Sequence, residues 1–331
     1  MMDAGKVVVQ ADVAKDEALD WFRKMALIRR FEEQAEEAYG RGLVGGFLHL
    51  YIGEEAIAVG AMAALAPEDD VFTHYRDHGY LLARGIDPKP VMAELFGRST
   101  GVSKGKGGSM HMADVANHLW GGYAIVGGHV PLAAGMAFAN RYLGRNGVVA
   151  CFLGEGGTNI GTFYAGLNLA AVWKVPLVVI VENNHYAMGS PVDRVSAVRD
   201  IYRKACAFDM PGVQVDGNDV AAVRDAVRER VEAARGGGGP QLVEAVTYRF
   251  RGHSMGDPQR YRTKEEVEKA KAGDPILRWR QAILDGGLAA ESELRKVEAR
   301  VEADVDDAVR FATSSPAPDE VEIDRDVLVG E

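Results

Sequence analysis

An α/β fold with a doubly wound, mainly parallel sheet is predicted by three observations. Apolar runs alternate with stretches of helical periodicity, two successive runs end in polar motifs, and glycines punctuate the turns between them. The clearest unit is Val148 to Leu153, then Ile160, Phe163, Tyr164, Leu167, Ala170 and Ala171 at helical spacing, then Val175 to Val181. It reads as strand, helix, strand, and so as two neighbouring parallel strands. The first run leads into Gly154-Glu155-Gly156 and the second into Asn183-Asn184, 28 residues beyond the glutamate. Both motifs fall at strand carboxyl ends, where open α/β sheets bind ligands.

Taken in order, residues 1–15 read as a flexible arm. Residues 16–41 carry a helical stripe (Leu19, Phe22, Met25, Leu27, Ile28, Phe31, Ala35) ended by Gly40 and Gly42. Residues 54–65 read as an alanine-rich helix, Val71 to His74 as a short strand ending in Tyr75-Arg76, and residues 88–97 as a helix. Residues 98–128 are glycine-rich with few aliphatics and read as a long functional loop. Pro131 is expected to open a helix whose small residues (Ala133, Ala134, Gly135, Ala137, Ala139) imply close packing. After the strand–helix–strand unit, Val213 to Val215 reads as a strand, residues 218–234 as a helix and Gly236 to Pro240 as a turn. Gln241 to Phe250 reads as a further strand that delivers His253. Residues 264–313 are helical and charged, and the proline- and acid-bearing tail from 315 is expected to wrap a surface. Residues 16–263 are therefore taken as the ligand-binding domain and 264–331 as a helical extension and tail.

The chain has 331 residues, is 47% hydrophobic and carries a net charge of −10, which supports a sizeable core and argues against general affinity for nucleic acid or anionic membrane. Cys151 and Cys206 make neither a disulfide framework nor a metal quartet, and Cys151 reads as a small core residue in a reducing compartment. No apolar stretch reaches ~18 residues, so nothing is expected to span a membrane. With Asp3 and Asp12 near the start, a transit peptide is not expected.

A carboxylate and an amide oxygen are hard ligands suited to Mg²⁺, which is held by one or two protein groups and substrate phosphates. Gly154, Gly156 and Gly157 allow backbone to approach an anion, and Thr158 and Asn159 are expected to cap the following helix. The unit therefore reads as a Mg²⁺-diphosphate site. Competing phosphate loops fail: from Gly154 the last glycine of a dinucleotide fingerprint is replaced by Asn159, and in residues 101–109 Gly107 follows Lys106 where a Walker loop needs Ser or Thr. Zinc has no cysteine cluster, and His74 and His78 straddle a strand end.

The pattern resembles the thiamine-diphosphate motif, in which Gly-Asp-Gly precedes Asn-Asn by a similar distance. The wider text is similar to the α subunit of the two-chain E1 component of 2-oxo acid dehydrogenase complexes. The resemblance rests on Gly46 to Tyr51, Tyr75 to Gly79, Lys104 to His111, Ile125 to Gly127, Trp173 to Pro176, Glu182 to Asn184, Tyr248 to Met255 and Tyr261 to Thr263, in the family's order. The Lys-Gly-Lys-Gly-Gly-Ser-Met-His block looks like the pyruvate or acetoin type. Two positions depart from it: Glu155 stands where most of the family has Asp, although branched-chain relatives carry Glu, and His129 stands where a glutamine is common.

The resemblance implies a thiamine-diphosphate-binding fold with added N- and C-terminal helices. It implies Glu155, the Asn184 amide and the Tyr186 backbone carbonyl as Mg²⁺ ligands, with Gly154, Gly156 and Gly157 cradling the diphosphate. It further implies Tyr75 and Arg76 at the diphosphate and backbone contacts from Ile125, Val126 and Gly127 to the aminopyrimidine. Asn183 is expected to brace its loop. His253, in a glycine-flanked loop past a strand end, and His49 are the residues proposed for proton handling, His253 doubling as a cofactor contact. Lys104 and Lys106 could steer anions or be plain loop charges. Ser254 matches a serine phosphorylated in some family members.

The implied activity is that of a pyruvate dehydrogenase E1 α subunit: thiamine-diphosphate- and Mg²⁺-dependent oxidative decarboxylation of a small 2-oxo acid, with acetyl transfer to a lipoyl group on E2, in the cytoplasm. Glu54 and Glu55 match a different family segment from the glutamate that tunes the aminopyrimidine, and the chain is too short for two full cofactor-binding domains. A β subunit is therefore expected to complete an α₂β₂ site. The alternatives are acetoin or branched-chain 2-oxo acid dehydrogenase, a non-catalytic scaffold, or a nicotinamide dehydrogenase acting alone.

Overall fold

The computed structural model describes residues 7–327. Helix α1 (Lys15–Gly40) and helix α2 (Glu55–Ala64) precede strand β1 (Asp70–His74), which is followed by α3 (Asp77–Arg84) and α4 (Pro88–Leu95). Strand β2 (Leu119–Tyr123), α5 (His129–Tyr142), β3 (Val149–Gly154), α6 (Gly161–Trp173) and β4 (Leu177–Asn183) come next. A small antiparallel ribbon, β5 (Tyr186–Ala187) and β6 (Ser190–Pro191), leads to the short helix α7 (Val192–Val195). Then come β7 (Gly212–Asp216), α8 (Val220–Ala233), β8 (Gln241–Val246) and three closing helices: α9 (Lys264–Lys271), α10 (Pro275–Asp285) and α11 (Glu291–Ser314).

Six strands form one sheet in the order β2-β1-β3-β4-β8-β7, parallel at every pairing. Both faces are covered, which is why the strands read as unbroken apolar runs. Ala150, Phe152, Val178, Ile180, Val243 and Ala245 face one core with α1, α2, α8 and α11. Val149, Cys151, Leu153, Leu177, Val179 and Val181 face the other with α5 and α6. The period-2 alternation of strand side chains thus assigns successive residues to opposite layers. The chain runs from β1 outward to β2, then crosses back to β3 on the other side of β1. That reversal opens a crevice at the carboxyl ends of β1 and β3.

Several expectations change. β2 lies inside the stretch read as loop: Leu119 and the glycine-rich Trp120–Tyr123 pair with β1, and the strand's small residues concealed it. α3 was also not foreseen, because it starts directly at the Tyr75-Arg76 motif. α5 begins at His129 and β8 ends at Val246, seven residues before His253. Thr158 and Asn159 do not cap α6, which starts at Gly161 without a side-chain cap. The buried Lys204 binds them instead, through Thr158 O (3.1 Å), Thr158 Oγ1 (2.8 Å) and Asn159 Oδ1 (2.9 Å). In the arm, Val7 and Val13 are buried in the core, while residues 1–6 lie outside the described residues. Trp279, Ile283, Val301 and Val305 of α10 and α11 share that same core.

The tail does wrap a surface. Lys104 and Lys106 pair with Asp326 at 2.7 and 3.2 Å, and Lys106 also meets Glu322, so both lysines are tail contacts. Beneath them the buried Glu94 of α4 accepts four backbone N–H groups of the glycine-rich loop, from Ser103, Gly105, Gly107 and Gly108, at 2.7–3.1 Å. Among the described residues no helix is long and apolar enough to cross a membrane.

Candidate active site

The carboxyl ends of β1, β3 and β4 enclose a cavity of about 250 Å³. Each wall comes from a strand end or the turn beyond it. His74, Tyr75 and Arg76 continue β1, Gly154 to Gly157 continue β3, and Glu182 and Asn184 close β4. Val126, Gly127 and His129 arrive on the turn into α5, Tyr186 on the ribbon, and Arg249 and His253 on the segment after β8. Gly127 has φ +72°, and a Cβ at Gly156 would fall 2.4 Å from that of Ala187, so both positions require glycine. Nothing lies within 4 Å of where a Cβ at Gly154 would stand, which leaves its backbone open on this wall.

The cavity gathers buried polar atoms that have no partner. Among the described residues, Glu155 Oε1, Arg249 Nη2 and His129 Nδ1 on its lining find no hydrogen-bond partner, nor do Glu54 Oε2 and His49 Nδ1 just behind it, against Asn184 and Tyr75. Buried polar groups are ordinarily paired, so their concentration around one cavity is the signature of a site that awaits a ligand. Burial pushes the Glu155 carboxyl up to about 7 despite the Arg249 guanidinium nearby. Asn184 is held on three sides: its Nδ2 donates to Glu54 Oε1 (2.9 Å), and its Oδ1 accepts from Tyr186 N and from Arg249 Nη1, both at 3.3 Å. Asn183 donates to Glu244 (2.7 Å) and accepts from His185 N, so it braces the loop.

Arg76 is a buried clamp. Its Nη1 donates to Leu50 O (2.9 Å) and its Nη2 to His253 O (2.8 Å), tying three segments together. His253 N also donates to Asp257 (2.7 Å). The imidazoles of His49 and His253 meet edge-on at 5.4 Å, and Tyr75 packs on both. Burial, with the Arg76 charge, takes His49 down to about 2 and His253 to about 3. At neutral pH both rings are therefore uncharged hydrogen-bonding groups in the bare chain, not bases poised near 7. Behind them Glu182 receives Tyr51 OH and lies 2.7 Å from His74 Nε2, and burial raises its carboxyl to about 7.

The cavity thus unites Tyr75, Arg76, Val126, Gly127, Gly154, Glu155, Gly156, Gly157, Asn184, Tyr186 and His253. His49 lies directly behind Tyr75 and His253. Ile125 also stands outside the lining, 77% exposed. Among the described residues no three His, Cys, Asp or Glu side chains converge on a metal position. A divalent ion would then rest on one carboxylate, an amide and oxygens from elsewhere, which is how Mg²⁺ is ordinarily held. Sequence reasoning gave Arg249 no role, although it stands between the aromatic Tyr248 and Phe250 in the stretch leading to His253. It also left His74, Glu182 and His129 without a place in the site.

Residues 23–320 match the family model described as "Dehydrogenase E1 component". The chain is 49% identical to the pyruvate dehydrogenase E1 component subunit alpha of Rhizobium meliloti (strain 1021), over 96% of this chain and 92% of the relative. It is 46% identical to the protein of the same description from Zymomonas mobilis, over 96% and 90%, and 42% identical to that of Porphyra purpurea, over 96% and 94%.

Proposed function

The chain belongs to the dehydrogenase E1 component family, and on that premise we propose that it is the α subunit of a pyruvate dehydrogenase E1 enzyme, working in the cytoplasm with thiamine diphosphate and Mg²⁺. The observation that carries the reading is the set of unpartnered buried atoms around one cavity at the carboxyl ends of β1, β3 and β4. A buried carboxylate oxygen and a buried guanidinium nitrogen, both unpaired, suit a divalent cation together with an anion.

Glu155 and Asn184 Oδ1, with the backbone of Tyr186, would hold the ion, and Gly154, Gly156 and Arg249 would face the diphosphate. Bound thiamine diphosphate supplies a stabilised carbanion that allows a 2-oxo acid to lose CO₂. The chain's own contribution is to orient and to desolvate. Arg76 fixes the His253 loop, and Tyr75 packs against both rings of the His49–His253 pair. Burial, and after it the Arg76 and Arg249 charges, hold His253 low, and an anion bound beside those two arginines would raise it toward the range where it can move a proton. Beside the mouth, Ile125, Val126, Ile160 and Met188 are exposed, and the outer faces of α5 and α6 add Leu132, Phe138 and Tyr164. Apolar surface of this extent fits a β subunit that completes an α₂β₂ enzyme, with the acyl group passing to a lipoyl arm on E2.

The α–β pair, titrated calorimetrically with cofactor and Mg²⁺ and then assayed with pyruvate, acetoin and 3-methyl-2-oxobutanoate, tests the reading. Binding, and preference for pyruvate, are expected. Absence of binding heat would point to a scaffold, and turnover by α alone to another class of dehydrogenase.

A further inference from the structure

His129 opens α5 and its side chain is fully buried, yet it lines the cavity. Its Nε2 lies 2.8 Å from the carbonyl oxygen of Phe152 on β3. A carbonyl only accepts, so Nε2 carries the hydrogen. The ring is held in that orientation by Tyr123, stacked at 5.5 Å with planes 17° apart. Burial keeps the imidazole uncharged, lowered to about 4. A neutral imidazole has one N–H, so Nδ1 is a bare lone pair, and it is buried with no partner among the described residues. Lone pairs in that condition are rare because the desolvation is uncompensated.

From this geometry we infer that His129 Nδ1 is a ligand-contact acceptor, which takes an N–H or O–H donor from the group that fills the inner end of the cavity. A phosphate or carboxylate oxygen cannot serve there, since two lone pairs would face each other. Mg²⁺ is disfavoured because it prefers oxygen and no other His, Cys, Asp or Glu trio gathers around it among the described residues. The contact therefore orients the occupant: its anionic end belongs with Glu155 and Arg249, and its donor end with His129. Within the function proposed above, on which this inference rests, the donor is the exocyclic amine of the aminopyrimidine or a water held with it.

The test uses the α chain with its β partner and measures binding of thiamine diphosphate at saturating Mg²⁺. His129→Phe, which keeps the ring stack and removes both nitrogens, should weaken binding about tenfold, whereas His129→Gln, which can donate to Phe152 O and still accept, should stay within about threefold. A cofactor analogue lacking the amine separates the donors. If it binds wild type and His129→Phe alike, the amine is the donor; if His129→Phe weakens both ligands equally, a water is. A wild-type measurement stands independently of whether the variants fold. With ¹⁵N-labelled histidine, the His129 Nδ1 resonance should move when cofactor and Mg²⁺ are added while Nε2 keeps its proton. An unmoved Nδ1, or a folded His129→Phe with wild-type affinity, would overturn the inference. Wild type failing to bind the cofactor at all would instead count against the proposed function.

Discussion

Replacing Glu155 by glutamine separates the electrostatic cost of this residue from its use. The carboxyl is 3% exposed, and burial raises it from an ordinary 4.5 to about 7. Between those two values the folded chain keeps a proton that the unfolded chain has released. Stability therefore falls as pH rises through that window and levels off above 7. The rise corresponds to about 3 kcal/mol. Glu182, also raised to about 7, is present in both chains and cancels in the comparison. Urea unfolding in chelator should show Glu155→Gln gaining about 3 kcal/mol on wild type between pH 4 and pH 8. Adding Mg²⁺ and thiamine diphosphate at about a hundred times the dissociation constant should return about 2.7 kcal/mol to wild type and little to the variant. Parallel pH curves in chelator would refute the burial argument. A variant stabilised by Mg²⁺ as strongly as wild type would remove Glu155 from the ion.

Arg249→Lys should weaken cofactor binding by about 2 kcal/mol, roughly thirtyfold, because the single nitrogen of a lysine cannot span the two positions that Nη1, on Asn184 Oδ1, and Nη2 of the guanidinium occupy; calorimetry with saturating Mg²⁺ measures it. His253→Ala should slow turnover far more than it weakens cofactor binding, and equal losses would make His253 a positioning residue. Glu94→Ala strips four half-buried N–H groups of their buried acceptor and should cost about 2 kcal/mol in urea unfolding, with an unchanged midpoint counting against the clamp.

How much of this was legible follows from what each residue type announces. The strand–helix–strand unit carrying Glu155 and Asn184 could be read because its strands are covered on both faces and therefore apolar throughout. β2 could not, since Gly121 and Gly122 suppress the apolar signal and Gly122 exists because Asp77 fills the space where its side chain would be, with Oδ1 1.8 Å from the Cβ position. Tyr75 and Arg76 were found by their motif, but Arg76's work of joining Leu50 to the His253 loop depends on contacts distant in sequence. The same holds for Glu54. As a residue at a helix start it looks like an ordinary first-turn acid, and only folding brings it against Asn184 Nδ2. That contact decides which end of the Asn184 amide faces the cavity: with Nδ2 engaged by Glu54, the oxygen is the end left for Tyr186 N, Arg249 and any cation. Periodicity locates the strand ends, and so the site. The partners that orient each functional group come from other strands and helices, and a pattern along one segment has no means of recording them.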